Sequence, residues 1–307
     1  MYPIFDLHSD LLSYLTEKPS RTPLDPESRS SLPQLEAGHV AHQVLAVFTE
    51  TQSGSTLRAK AQLDAFAKLS HPKIQFQIAF ESGSGFAEEG EPLSLSLERL
   101  ERILKAIGKV AYISLTWNGE NRLGGGTGSS AGLKEDGKTL LEWMSDRKIA
   151  VDFSHTSDPL AEGILDYIDR KGLKLPVLAS HSNFRKITPM DRNLPDWLAK
   201  ELIARKGIIG MNLFAPFLQT EDAIIRHVEY GLQLKGEHAL AFGADFFCDT
   251  DFTDLVMKYP NMPPYFPATA NASCYPNLLN RLQKALGLDD AMLQRISNGN
   301  LNNGLIL

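Results

Sequence analysis

Pro3-Ile4-Phe5-Asp6-Leu7-His8-Ser9-Asp10 is a strand-like apolar run that ends on an imidazole and a carboxylate two residues apart. Alternate residues of a strand project from one face, so His8 and Asp10 could hold one metal ion between them. The same ending recurs along the chain. Ile78-Ala79-Phe80 runs into Glu81, Ile149-Ala150-Val151-Asp152-Phe153 into His155, Pro176-Val177-Leu178-Ala179 into His181, and Leu240-Ala241-Phe242-Gly243 into Asp245. Eight apolar runs can be counted, at residues 3–8, 43–49, 74–80, 110–116, 149–153, 177–180, 207–213 and 239–245. Several are apolar at nearly every position, as parallel strands buried on both faces are. Helical segments with three- and four-residue apolar spacing separate most of them, at 56–69, 93–107, 137–147, 159–171, 195–205 and 221–233, with 275–286 and 289–301 closing the chain. Alternation of strand and helix predicts a parallel sheet, and eight of each favours a closed α/β barrel, the (β/α)8 TIM barrel, over an open doubly wound sheet. No G-x-G-x-x-G follows the first strand, which weakens the dinucleotide-binding alternative. With no linker and no internal repeat, one domain over 1–307 is the simplest account.

Two helix starts carry their own chemistry. Thr220-Glu221-Asp222 offers a cap and two acids, and Asp158-Pro159 puts proline at the first helical position. Three long irregular stretches, 18–33, 118–134 and 248–272, follow the first, fourth and eighth strands and leave the same rim. The second contains Gly124-Gly125-Gly126-Thr127-Gly128-Ser129-Ser130, which lacks the Gly-Lys-Ser/Thr ending of a phosphate loop.

With 43% hydrophobic and 22% charged residues, the composition is that of a globular protein. A net charge of -6 and scattered arginine and lysine argue against nucleic acid or an anionic membrane as partner. Cys248 and Cys274 imply no disulfide framework, and a single bridge between them is the minor alternative. The start Met1-Tyr2-Pro3-Ile4-Phe5-Asp6 enters a strand at once and has no basic n-region, so neither signal peptide nor transit sequence is expected. No apolar run approaches the roughly 18 residues of a spanning helix. The expected location is cytoplasmic.

A barrel enzyme keeps its site at the C-terminal ends of its strands. His8, Asp10, Glu81, His155 and His181 all fall there and could supply a dinuclear site, with His8 and Asp10 on one metal, His155 and His181 on the other, and Glu81 bridging. Any one of them read singly could be a strand-end polar group bonded to a loop. His39, His42, His71, His227 and His238 lie in helices, turns or strand starts and read as surface or structural.

These residues resemble the membrane (renal-type) dipeptidases, peptidase family M19, a branch of the amidohydrolase-like barrels. The likeness begins at His8-Ser9-Asp10-Leu11 and Ser31-Leu32-Pro33-Gln34-Leu35-x-x-Gly38. It continues through Phe80-Glu81-Ser82-Gly83, Ser114-Leu115-Thr116, Gly132-Leu133-x-x-x-Gly137 and Val151-Asp152-Phe153-Ser154-His155. Then come Pro176-Val177-Leu178-Ala179-Ser180-His181-Ser182-Asn183, Arg192-Asn193-Leu194-Pro195-Asp196 and Gly243-Ala244-Asp245-Phe246, so nearly the whole chain is covered in order. The resemblance implies a zinc-dependent dipeptidase with two divalent metal ions on His8, Asp10, Glu81, His155 and His181. It makes Asp245 the acid/base carboxylate and Arg192 the group that binds the dipeptide's terminal carboxylate. Both roles suit the side chains: a carboxylate can pass a proton, and a guanidinium matches a carboxylate bidentately. A homodimer is also implied.

Two departures fall outside the metal shell. Trp117 stands where family dipeptidases place a histidine that helps hold the substrate carbonyl, and its indole N–H, with Asn118 or Asn121 beside it, would have to donate instead. Asp245-Phe246-Phe247-Cys248 replaces the usual Asp-Phe-Asp-Gly, which reshapes the loop around the substrate. The expectation is hydrolysis of a dipeptide by a metal-activated bridging water, with Asp245 moving the proton. Two alternatives stay open: another small amide, lactam or lactone as substrate, or a non-catalytic binding protein on the same barrel.

Overall fold

A computed structural model describes residues 2–301, in which eight parallel strands close into one barrel in sequence order. They are β1 (Ile4–Ser9), β2 (Val40–Phe48), β3 (Gln75–Glu81), β4 (Val110–Ser114), β5 (Ala150–Asp152), β6 (Val177–Ala179), β7 (Ile208–Met211) and β8 (Leu240–Phe242). Closure is made where Asp6 of β1 pairs with Phe242 of β8. Two apolar clusters explain why the strands read as continuous apolar runs. Phe5, Leu7, Val44, Tyr112, Leu178 and Ile208 fill the barrel, while Ile4, Leu45, Ile113, Val151, Ile209 and Phe242 pack against the surrounding helices. Each fully buried Leu, Ile or Phe contributes about 1.5–3 kcal/mol of transfer free energy.

The expected helices are present with shifted ends: Ser55–Phe66, Leu93–Ile107, Glu135–Arg147, Asp158–Lys171, Asp196–Ala204, Ala223–Gln233 and Tyr275–Leu286. The last expected one is short, Asp290–Gln294, and continues as a π-helical turn over Arg295–Gly299. Two start signals are corrected. Ser157 caps the helix after β5 by accepting from Leu160 N at 3.1 Å, which moves Pro159 to the second helical position. At 220–222 the capping residue is Asp222, and its side chain makes no cap bond. Short helices at Leu11–Glu17, Leu32–Ala37, Ala215–Leu218 and Thr253–Met257 fall below the length at which periodicity can be read. Both cysteines are free and buried. Among the described residues, no helix is long and apolar enough to cross a membrane.

Register decides where His8 goes. Phe5 and Leu7 point into the barrel, so strict alternation would send His8 outward. Asp6 pairs with Gln43 but Ser9 with Leu45, which gives β1 one residue more than β2 between those points. This bulge turns His8 inward to reach Tyr112, which fills the barrel from β4. Asp6 stays on the outside, where Tyr275 Oη donates to it at 2.5 Å.

The rim of β6 is closed in by two glycines. A Cβ on Gly210 would lie 2.0 Å from the Ser180 carbonyl oxygen, and one on Gly243 would lie 1.9 Å from it. Only glycine lets β7 and β8 approach the backbone that carries His181 so closely.

His227, one of the histidines read as surface or structural, is wholly buried. Its Nδ1 accepts from Phe184 N at 3.2 Å and its Nε2 faces Thr188 Oγ1 at 3.3 Å, an arrangement that needs the neutral ring. Burial lowers its pKa from 6.5 to about 3. The unfolded chain therefore binds more protons at this residue between those values, and stability is lost as pH falls from about 6.5 toward about 3. The full loss is about 5 kcal/mol. Urea midpoints at pH 7.5 and pH 4.5 should separate more for the wild type than for His227→Gln; equal separation would remove His227 from the acid sensitivity.

Candidate metal centre

The side chains past β1, β3, β5, β6 and β8 converge on one point at the C-terminal rim. Glu81, at the end of β3, is the hub. Its Oε2 lies 3.2 Å from His8 Nε2, and its Oε1 lies 3.0 Å from His155 Nε2 and 3.4 Å from His181 Nε2. Asp245 Oδ1 is 3.7 Å from His8 Nε2. Ligand atoms of His8, Glu81 and His181 lie within 4.8 Å of one another, as do those of His8, Asp10 and Asp245. The structure thus brings together all five residues expected to hold metal, with Asp245 beside them.

Three left-handed residues shape this rim. Ser82, His155 and Asp245 have φ of 81°, 64° and 64°, conformations that cost non-glycine residues energy and that turn the chain sharply at the ends of β3, β5 and β8. Nothing in the sequence marks them.

Each imidazole is oriented from behind. Tyr112 Oη donates to Leu7 O at 2.9 Å, so it accepts from His8 Nδ1 at 2.7 Å. Asn118 Oδ1 accepts from His155 Nδ1 at 2.8 Å. Ser180 Oγ donates to Asp152 Oδ2 at 2.7 Å and so accepts from His181 Nδ1 at 2.6 Å. With all three Nδ1 atoms donating, the Nε2 atoms face the centre. His155 Nε2 and His181 Nε2 are then 3.0 Å apart with no proton to share, an approach that a cation between them would relieve.

The electrostatics fit a cation as well. Burial holds His155 and His181 well below the usual imidazole range and so neutral, the ligating form. Burial also raises Glu81 to about 8 and Asp245 to about 6, and lifts Asp10 well above its ordinary value, with the neighbouring Glu81 charge adding to it. Carboxyls crowded together without water resist ionisation until a positive charge joins them. His8 Nε2 and Asp10 Oδ1 are buried without a hydrogen-bond partner. The donor set is nitrogen and oxygen only, which zinc, manganese, cobalt and nickel all accept.

Asp152 is the residue sequence reading passed over. Wholly buried at the end of β5, it accepts from Ser114 Oγ at 2.6 Å, Ser180 Oγ at 2.7 Å, Ser180 N at 2.7 Å and Ser154 N at 3.0 Å. Ser180 thereby links a buried carboxylate to His181. Both residues lie within the quoted histidine motifs, but their pairing depends on the β5–β6 register. Ser180→Ala should weaken metal binding about 10- to 100-fold, and it should destabilise the protein by about 1–3 kcal/mol because Asp152 loses a donor. Competition against a chromophoric chelator measures the first effect, and an unchanged affinity would leave Ser180 a purely structural role.

The expected substrate groups divide. Arg192 is buried beside the centre, where Nη1 donates to Ser182 Oγ at 2.9 Å and Nη2 to His181 O at 3.0 Å. Its Nε has no partner, and its guanidinium lies 5.3 Å from the Phe217 ring centroid. Trp117 lines the cleft above the metal residues. Asn118 lines it too, but its side-chain oxygen is committed to His155, so it orients a ring before it can face a substrate. Asn121 is occupied with its own loop, donating to Leu115 O and accepting from Leu123 N. The first long loop braces the third: Arg21 makes two 2.6 Å bonds to Asp251, and Arg29 grips Asp249.

A parallel eight-stranded barrel whose strand ends aim neutral imidazoles and carboxyls at one buried point is built as a metal-dependent hydrolase is. Over residues 1–303 the sequence matches the membrane dipeptidases, Peptidase family M19, and the chain belongs to that family of metal-dependent dipeptidases. An uncharacterized dipeptidase of Schizosaccharomyces pombe is 24% identical over 346 residues, spanning 98% of this chain and 79% of that protein. A protein from the PQQ-III 3' region of Acinetobacter calcoaceticus is 29% identical over 147 residues, so the match spans 42% of this chain and only 43% of that relative. Among solved structures, a metallopeptidase from Rhodobacter sphaeroides, liganded with a phosphinate mimic of the dipeptide L-Ala-D-Ala, superposes with a TM-score of 0.81 at 17% identity, covering 99% of this chain and 98% of that one. The family match and the shared barrel fold thus agree over nearly the whole chain.

Proposed function

We propose that this chain hydrolyses the peptide bond of dipeptides with two divalent metal ions, zinc the expected species, held by His8, Asp10, Glu81, His155 and His181. The observation that carries this is the position of Glu81, one oxygen facing His8 and the other facing His155 and His181. A carboxylate so placed can bridge two ions. The ions would supply Lewis acidity, acidifying a water and polarising the scissile carbonyl. Asp245, beside His8 and steadied by Asn212 Nδ2 at 2.8 Å, takes the proton of the attacking water and returns it to the leaving amine. Arg192, whose buried Nε–H has no partner, is the group assigned to the substrate's terminal carboxylate. The aromatic side chains around the cleft keep bulk water from the reacting carbonyl.

The test is metal content and dipeptide hydrolysis on one purified sample, before and after chelation. Two ions per chain and cleavage that disappears with the chelator and returns with the metal are expected. Chelation should also lower the melting temperature, because a ligand at 1,000 times its Kd contributes about 4 kcal/mol. A fully loaded protein that cleaves a lactone or an N-acyl amino acid but no dipeptide would redirect the substrate assignment.

A further inference from the structure

We infer that the cleft selects dipeptides whose N-terminal residue carries an apolar side chain, aromatic ones best; this rests on the dipeptidase reading above. The floor of the cleft is polar, and its charged groups, Asp10, Glu81, His155 and Asp245, all belong to the candidate metal centre. Its walls are different. Phe48 at the end of β2, Trp117 after β4, and Phe252 and Leu255 after β8 line it, and all four are only half-buried. Phe48 is the keystone of this wall, with its ring centroid 5.0 Å from Trp117 and 5.4 Å from Phe252. Phe247 backs Phe252 at 5.0 Å. Partly exposed aromatic surface gathered around a reactive centre is apolar area that a ligand side chain can cover.

Direction follows from the order of the strands around the barrel. Arg192 follows β6, whereas Phe48 ends β2, directly across the mouth, with the Trp117 and Phe252 rings packed against it. A substrate with its carboxylate toward Arg192 and its scissile carbonyl over Glu81 lays its N-terminal residue against Phe48, Trp117 and Phe252. Within this cleft the charged lining is confined to Asp10, Glu81, His155 and Asp245, so the aromatic wall itself offers a charged side chain no partner. Arg21, in the brace between the first and third loops, is already held by both oxygens of Asp251, and Glu17, Glu50 and Arg58 line a separate hollow that Phe48 and Phe252 also border. Burying a Phe or Leu side chain on the aromatic wall, against leaving a Lys or Asp ammonium or carboxylate without its water, should separate substrates by about 10- to 100-fold.

The experiment measures kcat/KM of the metal-loaded full chain on Phe-Ala, Leu-Ala, Ala-Ala, Lys-Ala and Asp-Ala, then on Ala-Phe, Ala-Lys and Ala-Asp. Phe-Ala and Leu-Ala should exceed Lys-Ala and Asp-Ala by at least about 10-fold, with a smaller spread in the second set. Phe48→Ser should shrink the ratio of Phe-Ala to Ala-Ala. Equal cleavage across the first set, or a preference for a charged first residue, would overturn the inference and leave the dipeptidase reading standing. A Phe-Ala to Ala-Ala ratio untouched by Phe48→Ser overturns the wall assignment. No cleavage of any dipeptide by protein that demonstrably holds its metal overturns the dipeptidase reading and this inference with it.

Discussion

Asp245→Asn keeps metal in the protein and lowers turnover by about 10²- to 10⁴-fold, the range a lost general acid/base produces. The substitution is close to isosteric, and asparagine accepts the left-handed backbone at this position, where φ is 64°, better than most residues. Its amide oxygen can still receive the Asn212 Nδ2 bond that now reaches Asp245 Oδ2 at 2.8 Å. What disappears is a carboxyl that burial raises to about 6, close enough to neutrality to take up a proton and release it again. Metal-to-protein ratios and kcat on the same preparation measure the effect. Near-normal turnover in the loaded variant would assign the proton transfer elsewhere.

Glu81→Gln removes turnover by removing metal, and it makes the metal-free protein more stable. Glutamine offers one acceptor oxygen where two now face three imidazole nitrogens, so it cannot serve both ions. The stability change has the opposite sign. Burial raises the Glu81 carboxyl from 4.5 to about 8. Between those values the folded metal-free protein binds more protons at this residue than the unfolded chain does, so its stability falls as pH rises through the window. At pH 7 the penalty is on the order of 3 kcal/mol, absent in the neutral amide. Chelated wild type and variant should therefore unfold alike near pH 4.5 and diverge toward pH 8, with Glu81→Gln the more stable. Curves that stay parallel across the window would show that Glu81 is not carried neutral in the metal-free fold.

The barrel was legible in the sequence because a parallel strand covered on both faces has few polar positions. Runs such as Ile74–Phe80 and Val110–Thr116 therefore stand out, and the helices between them show their own period. The candidate site was legible for a related reason: a polar ligand-type residue directly after such a run has to lie on the rim. His8, Asp10, Glu81, His155, His181 and Asp245 are all found there. What surrounds them was not legible. Alternation alone would have turned His8 outward, and the extra residue between Asp6 and Ser9 that brings it in is a property of pairing with β2. Asn118 read as a donor to substrate and instead fixes His155. Asp152 and Ser180 read as strand residues, and their link to His181 exists only across two neighbouring strands.

The sequence by itself determined the order of strands and helices, the identity of the donors and the end of the barrel they occupy, because these follow from which residues each local stretch must bury and which it cannot. The tertiary structure alone decided which ring nitrogen faces the centre, how three residues sustain left-handed turns at the rim, and which aromatic side chains from β2, β4 and β8 meet over it. Those depend on hydrogen bonds and contacts between segments far apart in the chain, whose geometry is set only when the barrel closes.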